Sequence, residues 1–189
     1  DRRAADGVLT CDLLCGFTPL HLQTFLIAAL LQRIDDSSVE VEIGLFGDLL
    51  GNIERASSHS ESALSHGVAI VIEWSDIDPR LGLRSTHGWR PDRANDILAS
   101  ATNRLEQLAA RISKLAEQTC VAVSLPSLPL PPMFLAPTPI CTSFNSRLRA
   151  RVHDFAARFA YSDVRILIAP ALYFPSPPAD RFPFARELR

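Results

Sequence analysis

The chain has 189 residues, of which 47% are hydrophobic and 21% are charged, a balance typical of a folded globular domain. Its formal net charge of -2 gives no electrostatic reason to bind nucleic acid or an anionic membrane surface. No apolar run approaches the roughly 18 residues that cross a bilayer, and no signal peptide is recognisable. We expect a single cytoplasmic domain over residues 1–189, forming part of a longer protein.

The four cysteines fit neither a disulfide framework nor a metal site. Cys11 and Cys15 form a CxxxC pair without a second pair of ligands, and Cys120 and Cys141 lie far along the chain. Cys11 and Cys120 fall in predicted strands, and we expect them to be small core residues. The sequence therefore predicts no metal and is typical of a reducing compartment.

The first structural unit predicted from the sequence is a strand, a turn and a helix between Gly7 and Arg33. A buried strand is expected over Val8–Leu14, followed by a polar turn over residues 15–19. Thr18 is placed to cap the helix and Pro19 to lie in its first turn. The helix is predicted to bury an apolar stripe at helical spacing, formed by Leu22, Phe25, Leu26, Ala29 and Leu30.

Strands and helices alternate along the rest of the chain. Apolar or alternating segments predict strands at Ser38–Gly44, Val68–Glu73, Thr119–Ser124 and Asp163–Ala169. Helical periodicity predicts helices at Asp48–Ser57, Asp92–Gln118 and Ser143–Tyr161. The proline-rich run Leu125–Pro139 is expected to be an extended loop. This order predicts an α/β fold, a three-layer α/β/α sandwich with a parallel five-stranded sheet of flavodoxin-like type.

Three predicted turns meet at the carboxyl edge of such a sheet, where ligands and reactive groups collect. They are Cys15-Gly16-Phe17-Thr18, Gly44-Leu45-Phe46-Gly47 and Glu73-Trp74-Ser75-Asp76. A nucleophile on the first turn could use N–H groups of the first two turns as an oxyanion hole, with a side-chain donor from the third. SGNH (GDSL-type) hydrolases and acyltransferases have this arrangement.

Several short motifs resemble the SGNH-like N-terminal domain of FkbH-like proteins of the HAD-IIIC phosphatase family. The first turn resembles the family's S-N-F-T segment, and residues 43–48 resemble its V-G-P-F-G-Q turn. The strand before Trp74 is similar to its V-V-L-D-x-R-D-L block, and Phe144-Asn145 to its L-N-x-x-L helix. Residues 124–132 and 176–182 are similar to its proline-rich loop and to a segment preceding the HAD domain.

The resemblance implies a role in polyketide-type biosynthesis. In that family the HAD domain takes a glyceryl unit from 1,3-bisphosphoglycerate, and the unit passes as a thioester to an acyl carrier protein. The implied partners are that carrier protein and the chain's own C-terminal HAD domain. This sequence has no DxDxT/V signature, so we expect no phosphatase activity and no cofactor here; Mg²⁺ would belong to the HAD domain.

The resemblance also suggests roles for individual residues. Cys15 occupies the position of the nucleophilic serine and would accept the acyl group, because a thiolate is intrinsically nucleophilic. The N–H of Gly47 and the side chain of Ser75, at the position of the family's asparagine, would stabilise the oxyanion. Asp76 could orient a base. The predicted substrate-binding residues are Gly16, Thr18, Gly44, Trp74 and Asn145.

Structural roles compete with each of these assignments. Cys15 could be a packed residue, Thr18, Asp76 and Asn145 could be caps or loop contacts, and Trp74 could belong to the core. Candidate histidines are His66 and His87, which could approach the edge, and Trp89 could line an acyl pocket with Trp74. From the resemblance, we expect the family's catalytic histidine in a segment beyond Arg189.

Three functions therefore remain open from the sequence. The first is acyl transfer or carrier interaction through thioester chemistry at Cys15. The second is a catalytically inactive SGNH-like docking or dimerisation module. The third, an SGNH/GDSL-type esterase, is disfavoured by the missing histidine. The exposure of Cys15, and donors within reach from Gly47 and Ser75, would separate the first function from the second.

Overall fold

The computed structural model describes residues 8–34, 38–58, 66–82, 91–127, 130 and 139–167. The strands are β1 (Leu9–Cys15), β2 (Val39–Ile43), β3 (Gly67–Val71), β4 (Cys120–Ser124) and β5 (Arg165–Leu167). The helices are α1 (Leu20–Leu31), α2 (Leu49–Ser58), α3 (Trp74–Ile77), α4 (Ala94–Ala116) and α5 (Pro139–Ala157). None of the described helices is long and apolar enough to cross a membrane.

The five strands form one sheet in the order β2-β1-β3-β4-β5, and every adjacent pair is parallel. This is the strand order of flavodoxin-like folds, so the predicted fold class is confirmed. The chain crosses from β1 to β2 in one direction and then runs the other way across the sheet. Right-handed connections therefore place α1 on one face and α2, α4 and α5 on the other.

The face covered by α2, α4 and α5, here called the packed face, holds the main hydrophobic core. Alternate residues of the strands, such as Ile70 in β3 and Val123 in β4, point to this face and are at most 1% exposed. The predicted stripe of α4 is confirmed, because its apolar residues at helical spacing are all buried: Ile97, Leu98, Ala101, Leu105, Leu108, Ile112 and Leu115.

The opposite face, here called the open face, carries a much smaller cluster under α1. Cys11 and Leu13 of β1 and Val41 of β2 form its buried part, and Leu26, Ile27 and Leu30 of α1 pack against it partly buried. None of the 12 residues of α1 is buried. Cys120 of β4, whose neighbour Val121 faces the packed core, points to the open face and is exposed.

Three local predictions are wrong. Leu22, Phe25 and Ala29 were expected in the buried stripe of α1 but are exposed. The residues of α1 that face the sheet are Leu26, Ile27 and Leu30. Pro19, not Thr18, occupies the N-cap position, and no side chain caps the helix. Cys120 was expected in the core, but no described helix covers its end of the sheet.

The boundaries of two other elements also differ from the predictions. Helix α5 begins at Pro139, inside the predicted loop and ahead of the predicted start at Ser143. Proline is favourable in the first turn of a helix, since that turn has no use for the missing N–H. The predicted turn after β3 contains the short helix α3. The described part of β5 is shorter than the predicted strand, whose last residues lie outside the described ranges.

A side chain of α1 protects the free edge of the sheet. The carbonyl of Ser38 and the N–H of Gly44 both form hydrogen bonds with β1. Backbone groups alternate in direction along a strand, and Val41 is three residues from each of these positions, so its N–H and carbonyl point away from β1. Gln23 Nε2 donates to the Val41 carbonyl at 2.8 Å. This bond satisfies an edge carbonyl and fixes α1 against β2.

Candidate functional site at the carboxyl edge of the sheet

The first two predicted turns meet at the carboxyl edge of the sheet. The N–H of Gly47 donates a hydrogen bond to the carbonyl of Gly16 at 3.1 Å. Gly47 has φ +78°, a left-handed conformation that glycine adopts without strain and that turns its N–H toward the first turn. The β1–α1 and β2–α2 turns are therefore held together through their backbones.

The third turn packs directly against the first. Asp76 Oδ2 accepts the N–H of Glu73 at 2.9 Å, and the Glu73 side chain caps the N–H of Asp76 in return. A Cβ built on Gly16 would lie 1.8 Å from Asp76 Oδ1, so only glycine fits there with the carboxylate in place. Glu73 Oε1 also accepts the hydroxyl of Ser127, after β4, at 2.8 Å. The structure thus brings the predicted turns together.

Cys15 lies at the centre of this edge but is closed off from solvent. Its side chain is 1% exposed, and its S–H donates to the carbonyl of Phe17 at 3.1 Å. Burial raises the pKa of the Cys15 thiol, hydrogen bonding by the Phe17 backbone to the thiolate form acts in the opposite direction, and the nearby charge of Asp76 raises the pKa further. The group is therefore a buried thiol, whereas an acyl acceptor needs an accessible thiolate.

The predicted oxyanion donors are not assembled around Cys15 either. The N–H of Gly47 is occupied by the carbonyl of Gly16, and Ser75 lies on the exposed side of α3. The two conditions that separate acyl transfer from docking, an exposed thiol and a free donor, are both unmet in this arrangement. Acyl transfer at Cys15 stays a prediction from the sequence.

Asp76 has the structural role that competed with orienting a base. Burial raises the pKa of Asp76, as does the charge of Glu73, while the bond from the Glu73 N–H and the charge of Arg104 act in the opposite direction. The carboxylate is used by the capping box. His66 lies at the other edge of the sheet, where its Nδ1 is 3.2 Å from the N of Thr10, so it does not reach this site.

The predicted binding residues have mixed positions. Trp74 is 6% exposed and belongs to the packed core, the structural role that competed with lining an acyl pocket. Gly44 packs against the side chain of Asn52, and Thr18 is exposed at the end of the first turn. Asn145 is on α5, where its Oδ1 accepts from Arg149 at 2.9 Å. His87 and Trp89 lie outside the described residues.

The sequence-based reasoning missed two polar contacts that shape this edge. Asn52 accepts the N–H of Leu45 at 2.8 Å and donates to its carbonyl at 2.7 Å, which fixes the second turn. An asparagine within the apolar stripe of a predicted helix was the available signal. Asp78, 1% exposed, pairs with Arg80 at 2.7 Å, and Arg80 also reaches Asp96 of α4.

The described residues offer no group of three or more His, Cys, Asp or Glu side chains that could hold a metal ion. What the edge provides is a set of turns held by their own hydrogen bonds, with their polar groups directed at one another.

The comparisons with known proteins establish no family. No family model matches the chain, and no curated protein matches it. Among solved structures, one similar chain is an extracellular lipase from Streptomyces rimosus, at 11% sequence identity and a TM-score of 0.44. The alignment covers 87% of this chain and 80% of the lipase. The fold assignment rests on the strand order and helix placement of the chain itself.

Proposed function

We propose that this domain is a docking module that associates with a second copy of itself through α1. The surface consists of the large apolar side chains exposed on α1 and on the neighbouring β2–α2 turn, and we call it the apolar α1 surface. Its members are Leu20, Leu22, Phe25, Leu31, Leu45 and Phe46. This is the second function left open by the sequence.

The observation that supports the proposal is how much apolar side chain remains outside the core. Phe25 is 70% exposed, Phe46 75% and Leu20 65%. Single exposed apolar residues are common, but a group of them on one element marks an interaction surface. The bond between Gly47 and Gly16 holds the β2–α2 turn beside the turn that leads into α1, and on this basis we infer that both segments contribute to one surface.

The absence of charge on α1 favours a second copy as the occupant. Residues 20–32 contain no Asp, Glu, Lys or Arg, although 21% of the chain is charged. In a two-fold dimer the same patch meets itself, so a charged patch would repel its copy while an uncharged apolar patch does not. Covering the aromatic and leucine side chains removes apolar surface from water, which favours association.

The acyl-transfer alternative rests on the resemblance to FkbH-like proteins. It needs Cys15 to become accessible and Gly47 to release the carbonyl of Gly16, whereas docking through α1 uses the arrangement as it is. For the same reason we propose another copy of the chain as the partner that binds the apolar α1 surface, ahead of an acyl carrier protein or a HAD domain.

The oligomeric state tests the proposal. The wild-type chain is examined by sedimentation velocity between about 1 and 200 μM, beside Phe25→Glu and the matched control Tyr161→Glu. Tyr161 is fully exposed and lies after α5, away from α1, so the control adds the same charge outside the proposed interface. We expect a dimer for the wild type and Tyr161→Glu, and a folded monomer for Phe25→Glu.

Two results would overturn the proposal. One is a wild-type chain that remains monomeric over the whole concentration range. The other is a dimer that Phe25→Glu leaves intact, since a carboxylate at the centre of an apolar interface is costly to bury. Circular dichroism of each variant serves as the control that distinguishes loss of the dimer from unfolding of the chain.

A further inference from the structure

A small cavity of about 140 Å³ lies between β1, β2 and α2, on the packed face and away from the apolar α1 surface. Its lining combines apolar residues of the core with polar and charged side chains: Asp12, Leu14, Glu42, Ile43, Gly44, Asn52, Arg55 and Ala56. We propose that this cavity binds a primary ammonium group through Asp12 and Glu42.

Asp12 is the feature that requires an explanation. It lies in the middle of β1, faces α2, and is only 7% exposed. Among the residues that the structure describes, none donates a hydrogen bond to its carboxylate or forms an ion pair with it. A buried carboxylate without a partner is costly, and the cost falls when a cation or donor binds.

Glu42 provides a second carboxylate beside the first. Asp12 and Glu42 are register partners on adjacent parallel strands, so their backbones are about 4.8 Å apart and both side chains point to the same face. Glu42 is exposed and therefore lies on the solvent side of the cavity. Two carboxylates, one deep and one near the opening, make the cavity acidic.

Arg55, the cationic side chain among the described lining residues, is directed elsewhere. The Arg55 guanidinium donates to Asn52 Oδ1, and the described ion pairs place it on neither carboxylate. Asn52 already uses its side chain on the backbone of Leu45. The two carboxylates are thus left to a ligand.

The donor set favours an ammonium over a divalent ion. An ammonium group has three N–H donors, which two neighbouring carboxylates can share. A calcium ion takes about six to eight oxygen ligands. The described lining offers two carboxylates, which is fewer groups than such a shell needs. The small volume admits the ammonium head of a free amine or of a lysine side chain.

Chemical-shift titration tests the proposal on the full chain. Methylammonium chloride is added to ¹⁵N-labelled protein, and tetramethylammonium chloride at equal ionic strength is the control with the same charge and no N–H. Saturable shifts are expected for residues 10–14 and 42–45 with methylammonium alone. Asp12→Asn is expected to weaken binding at least about tenfold, the effect of losing one charge-assisted hydrogen bond.

Matched variants separate the site from the overall charge. Glu40→Gln removes one carboxylate from β2 at an exposed position outside the cavity lining, and we expect it to bind as the wild type does. Glu42→Gln, also exposed, is expected to weaken binding several-fold without disturbing the fold. This second variant tests the site even where Asp12→Asn fails to fold.

The outcomes are distinct. Equal shifts with tetramethylammonium, or binding that neither Asp12→Asn nor Glu42→Gln weakens, would overturn the proposal. A parallel titration with Nα-acetyl-lysine amide identifies the source of the amine. Tighter binding than methylammonium assigns the cavity to a lysine side chain, and equal or weaker binding assigns it to a free amine.

Discussion

The two faces of the sheet differ in how they are covered, although the same strands supply both. On the packed face α2, α4 and α5 bury a continuous core in which Ile97, Leu108 and Ile112 have no exposed surface. Among the described residues, α1 is the helix that covers β1 and its neighbours on the open face, and it contains no buried residue. We therefore expect the packed face to determine the stability of the domain and α1 to be the element that associates.

The largest expected difference between the two faces is in the free energy of unfolding, and a matched pair of leucine substitutions tests it. Leu108→Ala on α4 is expected to lower the free energy of unfolding by about 3 kcal/mol, because the site is closed on all sides. Leu20→Ala on α1, where the side chain is 65% exposed, is expected to change it by less than about 0.5 kcal/mol. Urea unfolding at low protein concentration, below the expected dimerisation range, measures both.

Equal losses in the two variants would show that α1 is as tightly packed as α4 in solution. A large loss for Leu20→Ala that grows with protein concentration would instead locate its burial in the dimer. The slope of unfolding with urea is a control, since it stays constant when a substitution changes stability alone.

The second largest effect on the free energy of unfolding is expected at the ion pair between Asp78 and Arg80. Asp78 is 1% exposed, and Arg80 contacts it through Nε and Nη2 at 2.9 and 2.7 Å. Arg80→Ala is expected to cost about 2 kcal/mol, because it leaves a buried carboxylate with fewer partners. This cost is smaller than that of a buried charge without any partner, because the backbone N–H of residue 80 and the Ser100 hydroxyl still form hydrogen bonds with the Asp78 carboxylate.

The pH dependence of this loss identifies its cause. Burial acts to raise the pKa of Asp78, but hydrogen bonds from Arg80 and Ser100 outweigh it and hold the pKa below the ordinary value of 3.8. The stabilisation is therefore complete above pH 3.8 and is lost as the pH falls through the lower, folded-state pKa. The difference between wild type and Arg80→Ala should shrink below that pH, and a constant difference would contradict the prediction. The contribution of Asp76, which is common to both proteins, cancels.

A smaller effect on the free energy of unfolding is expected at the carboxyl edge of the sheet. Gly16→Ala is expected to cost about 1–2 kcal/mol, because its Cβ displaces the Asp76 carboxylate and breaks the cap of α3. In an Asp76→Ala background the same substitution should cost less, since the obstructing group is gone. Additive losses in this double-mutant cycle, measured by urea unfolding, would show that the two turns do not contact each other.

The difference between the faces also explains what the sequence reveals. The stripe of α4 is predictable because its apolar and charged positions separate cleanly at helical spacing. Helix α1 is apolar almost throughout, so periodicity alone does not tell Leu26, which faces the sheet, from Phe25, which faces solvent. The turn that contains Cys15 contacts Asp76, which lies 61 positions after Cys15 in the chain, and local sequence patterns do not encode such a distant contact.

The smallest expected effect is a change in the number of thiols that can be alkylated. This number shows which cysteines of the open face α1 shields from solvent. Cys11 and Cys15 lie on β1 under α1 and its turn and are buried, whereas Cys120, on the same face at β4, is exposed. Burial also raises the pKa of both β1 thiols, which slows their alkylation further. Under native conditions, Cys120→Ala should lower by one the number of thiols that iodoacetamide alkylates, and Cys15→Ala should leave that number unchanged. If Cys15→Ala also lowers it, the turn opens in solution, and the accessible thiol that acyl transfer needs becomes available.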